Sequence, residues 1–162
     1  MAKFGEFIVV YNILPEVAER MLAALEGIVN KAAFDIQAQA QSNIRTNEQV
    51  DTAFMFNSVY TEVGGGENKH PYSDVGAPVK EGQGLLPEVE KPPKYQAIIA
   101  VGADYGLYQE MGTVHQPARP YLTPAVEKVR PEYDHALALL ETKMAGLHIP
   151  TGDTSGGMGG VQ

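Results

Sequence analysis

The 162-residue sequence contains no cysteine and no tryptophan. Without cysteine, the chain has no disulfide bond, no thiolate ligand for a metal and no cysteine nucleophile. Basic residues are scarce, since 12 lysines and arginines stand against 20 aspartates and glutamates and give a net charge of −8. Tight binding of duplex nucleic acid requires a basic surface that neutralises phosphates, and this balance argues against such a surface.

Long apolar runs are missing too. The longest, around Ile98 to Val101, is far shorter than a membrane span. The first residues, Met1 to Glu6, lack the apolar core and the small-residue cleavage pattern of a signal peptide. We therefore expect a protein that is made in the cytoplasm and has no membrane partner, and 162 residues suit one domain with a modest core.

The N-terminal part has the clearest periodic pattern. Residues Phe7 to Tyr11 are β-branched and aromatic and predict a short strand. Apolar residues then recur at helical spacing from Val17 to Ala40, which predicts an amphipathic helix of about seven turns. Pro15 fits the first turn of this helix, where its missing N–H costs nothing, and helical propensity fades at Ser42.

A second helical pattern fills the C-terminal part. Thr123 is predicted as its N-cap and Pro124 as its first residue. Apolar residues continue at helical spacing to Met144, and Gly146 is expected to end the helix. Pro131 interrupts the pattern, and because proline removes a backbone hydrogen bond we expect a kink or a break there.

Two strands are predicted between these helices. The segment from Phe54 to Val63 follows a turn at Asp51 and Thr52 and alternates as a strand does. Tyr95 to Val101 is mostly apolar and predicts a buried strand. Glycine and proline are frequent in the residues 64–94 that separate the two strands, which is a long connection for a compact domain.

The order of these elements predicts an α+β fold. A long N-terminal helix and a kinked C-terminal helix would pack on a small, mostly antiparallel sheet. We expect one domain over residues 1–147, with the Gly- and Pro-rich insert at 64–94. A Gly-rich tail, residues 148–162, follows the domain.

No arrangement of residues predicts catalysis. None of the four histidines lies four residues from another, the spacing that places two metal ligands on one helix face. Glu88, Glu90 and Lys91 lie in a Pro-rich stretch without the spacing of a metal-dependent nuclease site. The glycine-rich stretches do not lead from a strand into a helix as a phosphate-binding loop does. We predict no catalytic, cofactor or metal site and no enzyme, with a small hydrolase or nuclease as a remote alternative.

The most informative segment runs from Asp104 to Ala125. Tyr105 and Tyr108 are three residues apart, so on a helical turn they would share a face and would either cap the core or contact a neighbouring subunit. Between Asp104 and Glu127, Glu110 and Arg119 are the only charged residues, and we expect an ion pair between them, within one subunit or across an interface, with two solvated charges as the alternative. Gly112 is a candidate for a backbone conformation that other residues would strain.

Two blocks of this sequence resemble a known family. The first block runs from Asp51 to Val59, with Ala53 where the family usually has glycine and Met55 where it usually has leucine. The second block consists of Tyr105, Glu110, Gly112, Thr113 and the run from Ala118 to Ala125. With these blocks the chain resembles, over residues 15–145, the neck (head–tail connector or tail-completion) proteins of long-tailed bacteriophages, of the gene-product-ten type of Hong Kong 97 phage.

The resemblance implies a structural virion protein located in the neck or tail. Copies would form a closed ring of six, or alternatively twelve, subunits around the DNA channel. The acidity then has two interpretations, solubility or a non-adhesive wall past which DNA moves without specific binding. A tail terminator or a tail-tube subunit is the alternative function.

Such a ring would contact copies of itself, the head-completion or connector protein on one side and the tail on the other. Residues 64–94 and 148–162 are the candidates for contacts between stacked rings. The candidate interface residues are Tyr105, Tyr108, Glu110, Gly112, Thr113, Arg119, Pro120, Tyr121, Leu85 and Leu86.

Overall fold

The structure, a computed structural model, describes residues 14–48, 53–65 and 84–146. Its elements are α1 (Leu14–Thr46), α2 (Phe54–Asn57), β1 (Val59–Val63), β2 (Ala97–Val101), α3 (Gly106–Met111) and α4 (Leu122–Ala145). The predicted α+β fold is confirmed, with a long N-terminal helix, a C-terminal helix and an antiparallel sheet. The predicted strand at 7–11, the turn at 51–52 and the tail at 148–162 lie outside the described residues.

Helix α1 contains 33 residues and ends four residues later than the fading propensity at Ser42 predicts. Tertiary contacts explain the extension, because Ile44 is fully buried and the side-chain amide of Asn43 donates to the carbonyl of Tyr121 at 2.8 Å. The start agrees with the sequence, since Pro15 is the second residue of the helix, where no intrahelical N–H bond is lost.

Strands β1 and β2 pair antiparallel in a register that runs from Val59 opposite Val101 to Val63 opposite Ala97. A two-stranded sheet is marginal by itself and needs a helix against it. Helix α1 supplies this support: the amide of Gln37 donates to the carbonyl of Val59 at 3.2 Å. On the opposite face of β1 the hydroxyl of Tyr60 accepts the N–H of Val89 at 3.1 Å. Every residue of β1 is therefore buried.

The prediction of a strand from Phe54 to Val63 is wrong in its first half, which forms the single turn of α2. Phe54 and Met55 are adjacent in sequence and both only 1% exposed, so they are buried together rather than on opposite faces of a strand. Ala53 begins the turn with a φ of 58°. The turn is fixed by a buried residue, because the Ser58 hydroxyl donates to the Met55 carbonyl and accepts the N–H of Ala103, which follows β2.

Strand β2 was predicted to be buried, and that prediction is also wrong. Its residues are half-buried or exposed, and the side chain of Ile98 is 37% exposed. The face of β2 that carries Ile99 and Val101 packs against the core, whereas Ile98 points away from it. On the opposite face of the sheet, the backbone of Val89 contacts Tyr60 of β1. Ile98 of β2, on the same face, stays accessible among the described residues.

Helix α4 packs against α1 in the antiparallel direction. Lys31 of α1 pairs with Glu132 at 3.1 Å, and farther along α1 the carbonyl oxygen of the Gln39 side chain accepts a hydrogen bond from Lys128 at 2.8 Å. Pro131 lies inside α4, which continues through it, so of the predicted kink or break the break is wrong and the kink stays a prediction. Gly146 ends the helix as predicted, with its N–H bonded to the carbonyl of Thr142.

The core lies at one end of the molecule, where α1 finishes and α4 begins. Its buried members are Ala40, Ile44, Phe54, Met55, Val59, Ala103, Tyr121 and Ala125. Along α1 the first buried residue is Ala33, and along α4 the sole buried residue is Ala125. The first half of α1 and the second half of α4 therefore extend beyond the core. None of the helices in the described ranges has the length and apolarity to cross a membrane.

Candidate interaction surface

The segment from Asp104 to Ala125 begins just after β2, and the backbone of residues 84–86 lies beside its start. The N–H of Leu86 donates to the carbonyl of Gly102 at 2.7 Å, and the N–H of Asp104 donates to the carbonyl of Gly84 at 3.0 Å. Leu85 and Leu86 are thus placed next to this segment, with side chains 45% and 48% exposed. Two candidate interface residues that are distant in sequence are brought to the same region.

Tyr105 and Tyr108 do not share a face, contrary to the prediction. Tyr105 precedes α3, and its half-buried ring stacks on Phe54 with 6.3 Å between the ring centroids. Tyr108 lies within α3 and is 58% exposed. Of the two predicted roles, Tyr105 therefore has that of capping the core, and Tyr108 faces solvent.

Gly112 ends α3 in a conformation that favours glycine. Its φ is +76°, and its N–H donates to the carbonyl of Tyr108 at 2.9 Å. A Cβ at this position would lie 2.6 Å from the backbone nitrogen of Ala118, which is a severe overlap. Here the sequence-based expectation agrees with the structure.

Thr113 forms the turn that follows Gly112. Its hydroxyl accepts the N–H groups of His115 at 3.2 Å and Gln116 at 3.1 Å, and its own N–H donates to the carbonyl of Gln116 at 2.8 Å. This is the local hydroxyl-to-backbone bonding that threonine provides in turns. Thr113 therefore stabilises the loop itself.

The loop then returns to α3 through Gln109. The backbone N–H of Arg119 donates to the carbonyl of Gln109 at 2.8 Å, and the side-chain amides of Gln116 and Gln109 bond at 3.2 Å. Residues 106–119 therefore form a closed unit. Sequence reasoning missed Gln109, whose role depends on a main-chain partner ten residues away.

Glu110 caps helix α4. Its Oε2 accepts the N–H groups of Tyr121 at 2.8 Å and Leu122 at 2.9 Å, and its Oε1 accepts the N–H of Thr123 at 2.9 Å. One expectation is corrected here. The cap of α4 is a carboxylate from another helix rather than Thr123, and Glu110 has three backbone partners that the sequence did not suggest, while its ion pair with Arg119 stays a prediction. The first N–H groups of a helix lack intrahelical partners, which explains why a carboxylate is stable there.

The environment of Glu110 keeps it ionised. Partial burial raises the pKa of this carboxyl, but hydrogen bonds from the Thr123 hydroxyl and from the N–H groups of Leu122, Tyr121 and Thr123 outweigh burial and lower the pKa below 4.5. The carboxylate is therefore negative at neutral pH and holds α3 to the start of α4.

Pro120 and Tyr121 are held from the side of α1. The amide of Asn47 donates to the carbonyl of Pro120 at 3.0 Å, as Asn43 does to that of Tyr121. The Tyr121 side chain is 2% exposed, and its hydroxyl donates to the carbonyl of Gly106 at 3.2 Å. Burial first, then the charge of Glu110 and the nearby Tyr105, raise the pKa of Tyr121. Tyr121 therefore joins α1, α3 and α4 as a neutral core residue.

This closed unit exposes several large apolar side chains beside the polar Thr113, His115 and Arg119. The side chains of Leu107, Tyr108, Met111 and Val114 are 67%, 58%, 72% and 98% exposed, and together they form what we call the α3 patch. Leu107 and Met111 are four residues apart on one helix and Tyr108 and Met111 three apart, so these three side chains are neighbours on α3, whereas Val114 lies in the loop that follows. Sequence reasoning selected Tyr108 but missed the other three, although their spacing was a usable signal.

A second apolar feature lies between α1, β2 and α4. This α1–α4 groove has a volume of about 580 Å³. Its apolar lining includes Ala32, Ile36, Ile99, Val126, Val129 and Tyr133. Arg130 and Asp134 border it and pair with each other at 3.4 Å. None of the residues of the α3 patch lines the groove, and no pattern in the sequence indicated it.

Within residues 14–48, 53–65 and 84–146, no three His, Cys, Asp or Glu side chains are grouped so that they could hold a metal ion. The chain matches no protein-family model, no curated protein and no solved structure.

Proposed function

We propose that this protein is a structural ring subunit of the neck of a tailed bacteriophage, joining the connector on the capsid side to the tail and surrounding the DNA channel. The observation that supports this proposal most is that some side chains of residues 104–125 hold the backbone of the segment while others are exposed and apolar. The residues that carry the family resemblance are used to build a scaffold, and the scaffold exposes apolar side chains.

Each of these scaffold residues bonds within the chain. Glu110 caps α4, Thr113 closes a turn, and Tyr121 is buried with its hydroxyl on the carbonyl of Gly106. Gly112 permits the close approach of residue 118. Side chains that hold backbone groups are poor candidates for reacting with a substrate, whereas an exposed apolar patch on a fixed support is typical of a protein–protein interface.

The charge distribution is consistent with a wall that DNA passes without binding. Arg20, Lys31 and Arg130 each pair with a carboxylate four residues away, on Glu16, Asp35 and Asp134 respectively. On the surfaces of α1 and α4 these cations are therefore compensated locally instead of forming a stripe that could replace the counterions of DNA. We expect six copies around the channel, with twelve as the alternative.

Two measurements test the proposal. Light scattering of the purified chain should give six or twelve times the 17.5 kDa of a single chain. Antibody labelling of phage particles in negative stain should place the protein as one band at the head–tail junction. Label along the whole tail would identify a tail-tube subunit instead. A tail terminator at the head-proximal end of the tube would also give label at the junction, so this labelling alone does not separate it from a neck subunit. A monomer that shows hydrolase or nuclease turnover would overturn the proposal.

The neck and the terminator are separated by particles that lack the protein. Without a neck subunit, complete tails should accumulate beside filled heads, because both assemblies are finished but not joined. Without a terminator, tails of irregular length should accumulate. Irregular tails would therefore contradict a neck position while preserving a structural role.

A further inference from the structure

We propose that β2 accepts a third strand along its open edge, and that this strand is the segment from Phe7 to Tyr11 of a neighbouring copy. The contact rests on the proposed function for the existence of a ring, and it names the strand that joins one subunit to the next. It is supported by a row of unpaired backbone groups, by a groove beside that row, and by the reach of the chain before α1.

One edge of β2 has no partner strand within the described residues, where the sheet consists of β1 and β2. The N–H of Gly64 donates to the carbonyl of Gln96 at 2.9 Å, and the N–H of Gly102 donates to that of Ser58 at 2.8 Å. In an antiparallel pair, alternate residues of a strand direct their N–H and C=O groups towards the partner. Every second residue between Gln96 and Gly102 therefore faces β1. The others direct both groups away from it, and they are Ala97, Ile99 and Val101.

The space beside this edge is the α1–α4 groove, which Ala97 and Ile99 help to line. An added strand lies about 4.8 Å from the strand that it joins, so it would run through this groove. Its backbone would bond the open edge, and alternate side chains would meet the apolar lining from α1 and α4. Arg130 and Asp134 also line the groove, and they pair with each other at 3.4 Å. An uncharged strand therefore leaves this ion pair intact.

The segment from Phe7 to Tyr11 has the composition that such a strand needs. The residues outside the described part are 1–13, 49–52, 66–83 and 147–162. Of these stretches, only 1–13 contains five consecutive residues without glycine, proline or charge. The segment consists of β-branched and aromatic residues, each with an N–H to donate, and it has the same length as β2, five residues.

The position of the sheet along α1 decides which copy supplies the segment. Strand β1 runs antiparallel to α1: the Thr61 hydroxyl donates to the carbonyl of Ala33 at 3.5 Å, and Gly65 lies beside the Glu26 side chain. Because β2 pairs with β1 before Gly65 is reached, the whole of β2 lies at least as far from the start of the helix as Glu26 does. Between Leu14, its first residue, and Glu26 the helix rises about 18 Å.

A segment that ends at Tyr11 is too close to α1 to cover β2 of its own chain. Even when fully extended, the backbone from Tyr11 to Leu14 spans at most about 11 Å. Tyr11 therefore stops short of the sheet in its own chain, whereas the segment of a neighbouring copy is under no such limit. A strand that each copy gives to the next is a heterologous contact, and it leaves one open edge and one unused segment until the ring closes.

Amide hydrogen exchange at residue resolution tests the open edge directly. In the dilute, monomeric chain the N–H groups of Ala97, Ile99 and Val101 should exchange fast, and assembly should slow them about tenfold or more. The N–H groups of Ile98 and Ala100 face β1 and are the internal control, protected in both states. Slow exchange at the open edge of the monomer would show that residues of the same chain cover it, and would overturn the proposal. Fast exchange there in the assembled chain would overturn it too.

Proline variants of the full chain test the two partners of the contact separately. Ala97→Pro removes one outward N–H and none of the bonds to β1, and the open edge of a sheet tolerates proline. Val9→Pro combined with Val10→Pro removes, in either register, one N–H that would face β2. The matched controls, Ala97→Ser and Val9→Ile with Val10→Ile, keep every N–H.

Both proline variants should lose the assembled species in sedimentation at concentrations where their controls assemble, while circular dichroism reports an unchanged fold. An equimolar mixture of the two proline variants retains one intact segment and one intact edge, so it should form heterodimers that grow no further. Rings that persist in either proline variant, or a mixture that stays monomeric, would overturn the proposal.

These outcomes are distinct from those that concern the proposed function. If the wild-type chain forms rings in which the open edge of β2 still exchanges fast, the ring stands and this contact is wrong. If the wild-type chain is monomeric at every concentration tested and absent from the head–tail junction, the proposed function fails, and the contact fails with it.

Discussion

Two short helices flank the two strands, and the apolar side chains are buried in one helix and exposed in the other. Helix α2 leads into β1, and its Phe54 and Met55 are each 1% exposed. Helix α3 follows β2, and its Leu107 and Met111 are 67% and 72% exposed. Both segments have similar apolar content and both are too short to be stable alone. The surroundings of each helix, and not its own sequence, decide whether it builds the core or presents a surface.

The surroundings differ in what holds each helix. Ser58 fixes α2 from inside, since its hydroxyl bonds both the Met55 carbonyl and the N–H of Ala103. Helix α3 is fixed at its polar positions, Gln109 and Glu110, which hold the returning loop and the start of α4. When the polar side chains of a short helix face the protein, its apolar ones face outwards.

The largest expected effect comes from truncating the buried aromatic residue of α2. Phe54→Ala should lower the free energy of unfolding by about 3–5 kcal/mol, because it removes a fully buried ring and leaves a cavity. Tyr108→Ala on α3 is the matched control and should change stability by about 0.5 kcal/mol or less. Urea unfolding at concentrations where the chain is monomeric measures both, and similar losses would remove the contrast between the two helices.

The next effect tests the backbone that ends α3. Gly112→Ala should destabilise the fold by about 1–3 kcal/mol, because φ is positive and the new Cβ overlaps the nitrogen of Ala118. Gly27→Ala in α1 is the control: nothing lies within 4 Å of a Cβ there, and alanine should stabilise the helix by about 0.5–1 kcal/mol. The midpoint of thermal unfolding should move in opposite directions. Two shifts of the same sign would contradict this account of Gly112.

A smaller effect is expected from the carboxylate that links α3 to α4. Glu110→Gln should cost about 1 kcal/mol at neutral pH, the usual magnitude for losing a helix cap. The folded-state pKa lies below its ordinary value of 4.5, so the contribution is present above pH 4.5 and is lost as the pH falls through the folded pKa. Chemical unfolding between pH 7 and pH 3 should show the wild type and the variant converging in acid.

Glu127→Gln, at an exposed position of α4, is the control for Glu110→Gln. It should change stability by less than about 0.5 kcal/mol at pH 7. A pH-independent difference between the wild type and Glu110→Gln would mean that the charge of Glu110 has no part in holding α4.

The smallest effect comes from comparing the same residue type, methionine, at a position on each of the two short helices. Met111→Ala on α3 should change the stability of the monomer by no more than about 0.5 kcal/mol, because its side chain is mostly in water. Met55→Ala on α2 should cost about 2–5 kcal/mol. Because both variants remove the same side chain, the difference between their urea midpoints measures the effect of burial. Equal midpoints would show that α3 is covered in solution.

The sequence predicted the long elements well because their signals are local and repeated. Apolar residues recur at helical spacing over many turns of α1 and α4, and the low helix propensity of Gly146 favours the end of α4 there. The segment from Phe54 to Asn57 was predicted as a strand because apolar residues on both faces fit a strand as well as one helical turn. The deciding contact joins Ser58 to Ala103, 45 residues away.

The candidate site was predicted in position but not in arrangement. The conformation of Gly112 followed from residue type, and the candidate interface residues Leu85 and Leu86 are 45% and 48% exposed. The partners of Glu110 did not, because charge alone suggested Arg119. The N–H groups that Glu110 binds become available because α4 begins at Leu122, with Tyr121 as its N-cap, two residues before the expected cap Thr123. The outward direction of the α3 patch likewise depends on Tyr121 occupying the inner side.

The side-chain amides of Asn43 on α1 and of Asn47 just after α1 donate to the carbonyls of Tyr121 and Pro120, which precede α4. Unlike the Glu110 carboxylate, these amides do not titrate, and ionic strength leaves them unchanged. Strong acid would therefore remove the contribution of Glu110 but leave the amide bonds from Asn43 and Asn47 and the bond from the Tyr121 hydroxyl to the Gly106 carbonyl. The attachment of α3 to α4 would therefore weaken gradually and reversibly as the pH falls, while the packing of α4 on α1 stayed in place.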